Sequence, residues 1–146
     1  MATIIHTPAR LRGTSVCAVI NLCVAALWGL AGVLGFFMSF LAVHVSPIPL
    51  LLLGATGSLW FSAILLLDIP TDGRPSNRAL LYLGLAIACA WSYWLFMLFD
   101  AGRGWSDVWH FDPGTVGLLH IPALTALCLL AEVVYLWRRR SSGSTV

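Results

Sequence analysis

Polar residues are sparse along this chain, and long apolar runs separate them. A bilayer hydrocarbon core of about 30 Å takes about 20 helical residues. Four runs meet that length, at about 16–41, 49–69, 79–99 and 117–137. Chain-reversing residues stand between them: Pro47 and Pro49, then Pro70, Gly73 and Pro75, then Pro113 and Gly114. The pattern predicts an all-α integral membrane protein, a four-transmembrane-helix bundle over 16–137. A tail of residues 1–15 precedes it and a basic tail of 138–146 follows. The first run comes after Arg10 and Arg12, as in a secretion signal. It is longer than the apolar stretch of about 7–15 residues that such signals carry, so a retained helix is expected.

Composition narrows the class. Only 10% of the 146 residues are charged and 60% are hydrophobic. A soluble domain carries about 25% charged residues, so most of this surface is expected to meet lipid. A nucleic-acid module is excluded as well, because the net charge of +2 is not gathered into a basic face. Cys17, Cys23, Cys89 and Cys128 all lie in apolar runs and form no CxxC pair. They read as small hydrophobic residues, and no metal site or disulfide frame is expected of them.

The charges alternate from loop to loop. Arg10, Arg12, Arg74, Arg78 and Arg138–Arg140 fall on one side if all four runs cross. The other side holds Asp100, Asp107 and Asp112 against Arg103. Basic loops stay in the cytoplasm. Both termini are therefore expected there, in a plasma (inner) membrane of bacterial or phage-encoded origin.

Within each run, polar and small residues share one helical face. The first gathers Cys17, Asn21, Trp28, Gly32, Gly35 and Ser39, the third Tyr82, Ala86, Cys89, Tyr93 and Asp100, and the fourth Thr125, Cys128, Glu132 and Tyr135, while the second has a broader face of Gly54, Gly57, Ser58, Ser62 and Asp68. Hydrocarbon satisfies no hydrogen bond, so such faces turn toward protein. Small residues let helices approach closely, which marks Gly29, Gly32, Gly35, Gly54 and Gly57 as packing positions. The faces are open to two readings, plain packing or a hydrated cavity.

Glu132 is the one charged residue well inside a run, six residues before Arg138. At about 1.5 Å per residue that is roughly 9 Å. Asn21, Asp68 and Tyr82 fall at similar depth, so the four residues form a candidate intramembrane polar site. Such a carboxyl either binds a proton or cation or pairs with a nearby base such as Arg78. A second cluster lies in the loop before the fourth run. Trp105, Asp107, Trp109, His110 and Asp112 form a candidate interaction site there, with Trp rings at headgroup level. His and carboxylates also suit a divalent metal, but the spacing matches no strong metal signature. His44 and His120 lie too shallow for paired heme ligands.

No nucleotide-binding, zinc-protease, nucleophile-elbow or CxxC motif is present, so neither catalysis nor a cofactor is expected. The first expectation is a non-enzymatic membrane protein that works through contacts with a membrane-protein partner or with its own copies. An accessory subunit, or an immunity or exclusion factor of the phage type, fits that description. The second is a small proton- or cation-coupled transporter or channel that uses Glu132.

Overall fold

The computed structural model describes residues 13–42, 46–68, 75–99 and 105–142, apart from the Asp107 side chain. Arg10, Arg12, His44, Arg74, Asp100 and Arg103 lie outside these residues. Four helices carry the described chain: α1 (Gly13–Leu41), α2 (Ile48–Leu67), α3 (Asn77–Phe99) and α4 (Pro113–Ser141). Each is long and apolar enough to cross a membrane. A short 3₁₀ turn, Trp105–Trp109, precedes α4. No strand occurs among the described residues.

Local chemistry sets the helix starts. The Ser76 hydroxyl accepts from Ala79 N at 3.2 Å and caps α3. Asp112 caps α4, with Pro113 in the first helical position, where a missing N–H costs nothing. These caps start α4 four residues earlier than its apolar run. Arg138, Arg139 and Arg140 extend it, since cations suit a helix C-terminus.

Apart from Cys17, Pro49, Ala63 and Leu98, the buried helix positions repeat every 3.5 residues. They are Thr14, Ala18, Asn21, Ala25, Trp28 and Gly32 on α1, and Ala55, Leu59, Ser62 and Leu66 on α2. On α3 they are Ala79, Leu83, Ala86, Ala90, Tyr93 and Met97. On α4 they are Thr115, Leu119, Pro122, Ala126, Leu129 and Leu136. A period of 3.5 keeps one seam facing the partner when helices wind around each other with a left-handed twist. Small and large residues alternate along the α2 seam, Ala55, Leu59, Ser62 and Leu66.

The helices pack in chain order, α1 on α2, α2 on α3 and α3 on α4, while the α1–α4 contact that completes the ring is slight. The α1–α2 contact is the tightest. A methyl added to Gly29 would meet Thr56 at 3.1 Å, one on Gly32 would meet Leu53 at 3.0 Å, and one on Gly35 would meet Pro49 at 3.3 Å. Gly54 faces Cys89 Sγ at an ordinary 3.5 Å. Gly57 does not pack: a methyl there would meet open space. It falls between the seam positions Ala55 and Leu59, so the small-residue signal misleads at that position.

Pro122 interrupts α4. In α-helical register its N–H would serve the Leu118 carbonyl, and proline has none. The helix widens into a π turn over Val116–His120. The Tyr93 hydroxyl of α3 donates to Leu118 O at 3.1 Å. A neighbouring helix thus resatisfies the freed backbone group, as bilayer depth requires.

Candidate functional site

Asn21 and Glu132 meet at the weakly closed seam between α1 and α4. Asn21 occupies a seam position of α1 and is 0% exposed. Glu132 stands next to the seam of α4, half-buried. Asn21 Nδ2 donates to Glu132 Oε1 at 3.0 Å. Cys17, one turn before Asn21 on the same face, lines the groove beside the carboxyl. One donor from α1 therefore holds the Glu132 head in place.

The pair is not fully satisfied. Asn21 Oδ1 is buried with no hydrogen-bond partner. A buried acceptor without a donor costs about 1–3 kcal/mol. Beside the pair runs a groove of about 230 Å³. Ile20 and Val24 of α1 and Thr125, Cys128, Leu129 and Ala131 of α4 form its walls, with Cys17, Glu132 and Tyr135 at one end. Beyond that end, the Tyr135 hydroxyl and an Arg139 guanidinium nitrogen crowd Gly13. Among the described residues no arginine forms an ion pair with Glu132.

Two members of the expected four-residue layer lie elsewhere. Tyr82 stacks on Phe61 across the α2–α3 contact, with centroids 5.4 Å apart. It falls off the inward seam of α3, which passes through Ala79, Leu83 and Ala86. Asp68 is exposed at the C-terminal cap of α2. Its helix lies across the ring from α4. Arg78, the suggested partner base, is exposed at the start of α3.

The opposite end of the bundle carries the second cluster. The Asp112 carboxylate accepts from Thr115 N at 3.1 Å and from the Thr115 hydroxyl. Those bonds favour the charged form and hold the Asp112 carboxyl below the usual aspartate range. Asp112 is thus occupied as a helix cap. Trp105 packs edge-on against Trp94 and Phe99, at 5.8 and 6.2 Å between centroids. His110 Nδ1 lies 3.0 Å from Ser106 O. Trp109 is 79% exposed. The Asp107 side chain lies outside the described residues. Among the described residues, no three His, Cys, Asp or Glu side chains gather as metal ligands.

His120 joins this end to α4. Its Nε2 lies 2.8 Å from Val108 O in the 3₁₀ turn, and its ring stacks on Phe111 with centroids 5.0 Å apart. A neutral ring protonated on Nε2 donates that bond. The link from Tyr93 to Leu118 and the role of His120 joined residues too far apart in the chain for helical periodicity to pair them. Cys17 was closer to view, because it shares the face of Asn21 at a four-residue spacing. Comparison with known protein families, with curated proteins and with solved structures found no match.

Proposed function

We propose that this is a small integral membrane protein that acts through contacts, and that its loop end is the contact surface. The observation that carries this reading is the held aromatic platform. Trp109 and Phe111 project from a turn that His120 ties to α4 and that Trp105 ties to α3. Large exposed aromatics on a fixed backbone lose little freedom on binding and supply most of the energy of protein contacts. The interior supports the same reading over a channel. Leu59, Leu66, Leu83, Leu119, Leu129 and Leu136 are fully buried and fill the bundle centre with apolar layers.

In this proposal both termini face the cytoplasm of a bacterial or phage-infected cell, and the aromatic end faces outward across the plasma membrane. The concentration of arginine at the terminal end supports that orientation. The partner is another membrane protein, with the chain as an accessory subunit or as an immunity or exclusion factor, or it is a second copy of this chain.

A photo-crosslinking residue at Trp109, used in native membranes, tests the proposal. The expected result is a discrete adduct of larger mass with one protein species. The same probe at Leu85, which is exposed on α3, should give lipid adducts alone. Lipid adducts alone at both positions would defeat the contact reading. A second reading, a cation-coupled transporter, is favoured by Glu132 alone and requires that carboxyl for activity.

A further inference from the structure

The Asn21–Glu132 pair lies far from the aromatic end, and its chemistry is separate from that of a contact surface. We infer that the groove between α1 and α4 binds an aliphatic primary amine in its ammonium form, entering sideways from the lipid. Glu132 is the counter-ion, and Asn21 is a positioning residue that holds it through its amide N–H.

Three observations converge on this ligand class. The first is charge. Glu132 borders the groove with no basic partner among the described residues. An intramembrane carboxylate is costly until a cation or a proton joins it. The second is hydrogen-bond count. A carboxylate accepts about four hydrogen bonds, and Asn21 supplies one. Asn21 Oδ1, fully buried beside it, has none. An ammonium brings three N–H donors to the free acceptor positions of Glu132, which lines the groove.

The third observation is shape. From Glu132 toward Thr125 the groove is walled by Ile20, Val24, Cys128, Leu129 and Ala131. Its volume of about 230 Å³ equals that of roughly eight waters in the liquid. An alkyl chain of about that many atoms fits, and it points away from Arg139 toward the bundle middle. A metal ion is a poor match. It exchanges its water for a full shell of oxygen ligands, and these walls are aliphatic.

Equilibrium binding of n-octylamine to the protein in phosphatidylcholine nanodiscs tests this at neutral pH, where the amine is charged. Uptake by empty nanodiscs is subtracted. The expected result is one saturable site per chain. Glu132→Gln should weaken binding at least tenfold while keeping the acceptor for Asn21. Ala131→Phe, which fills the groove and leaves the carboxyl alone, should also abolish the site. Elution volume and circular dichroism report folding of both variants. 1-Octanol, the neutral analogue, should show no saturable site, and octyltrimethylammonium, which lacks N–H donors, should bind at least tenfold more weakly than octylamine. Equal binding by wild type and Glu132→Gln would overturn the inference, as would an Ala131→Phe variant that binds normally. Octanol or octyltrimethylammonium binding as tightly as octylamine would overturn the ammonium assignment. Loss of crosslinking at Trp109 would leave all these results unchanged, so the two proposals fail separately.

Discussion

The two halves of α1 solve different problems. The half from Gly29 to Gly35 presses against α2 so closely that a single methyl must displace a neighbour. The half from Cys17 to Val24 borders α4 across a groove and keeps its contact through polar groups. Within lipid, burying apolar surface drives no association, because the tails are as apolar as leucine. One half therefore gains its cohesion from close approach. The other gains it from a hydrogen bond and leaves room beside it. A helix welded along its whole length would leave no site; one held by polar groups alone would be loose.

The comparison makes graded predictions. Gly32→Ala attacks the tight half, where Leu53 and Leu52 stand at 3.0 and 3.3 Å from the new methyl. Overpacking of this kind costs about 1–3 kcal/mol. Reversible unfolding in mixed micelles should read that loss, and an unchanged midpoint would mean that α1 and α2 slide apart freely. Tyr93→Phe extends the test to α4. Leu118 O loses its donor, and the cost of an interhelical bond in a membrane averages about 0.6 and reaches about 1.7 kcal/mol. The value expected is near the upper figure, because Pro122 offers no replacement.

Asn21→Ala acts on the loose half. It removes the donor to Glu132 and the unpaired oxygen together. The two effects oppose, so the net change should be below about 1 kcal/mol. A loss as large as that of Gly32→Ala would erase the distinction between the halves. Gly57→Ala is the smallest case, with open space around the new methyl. The measured stability should be unchanged or higher by up to about 1 kcal/mol, from helix propensity.

Acid acts on the loop end through Asp112. Asp112 is held below its usual range of about 3.8. Its cap therefore adds stability above that range and loses it as pH falls through the depressed value. Hydrogen exchange at the Thr115 amide should quicken, relative to the intrinsic rate, only in strong acid. Asp112→Asn should retain a cap and remove that dependence.

Much of the architecture is legible in the chain, for a physical reason. Lipid enforces long apolar runs, and the four predicted runs match the helices to within four residues at every end. The meeting of Asn21 and Glu132 is legible too, since both are polar groups at one depth. Tyr82 and Asp68 share that depth but not the neighbourhood, because depth does not say which helices stand side by side. Gly57 shows the limit of composition, since small residues permit close packing without requiring it. Asp112 carried two signals. An Asp before Pro at a helix start marks a cap, and that reading describes it better than an interaction site does.

The packing in chain order also governs how the molecule is assembled. A membrane chain enters the bilayer from its N-terminus, and α1, α2 and α3 find their neighbours as they arrive. Glu132 stands on α4, three helices further along the chain than Asn21, so the pair's hydrogen bond joins the first and fourth helices. That hydrogen bond closes the ring, and its formation reports that all four helices are in place.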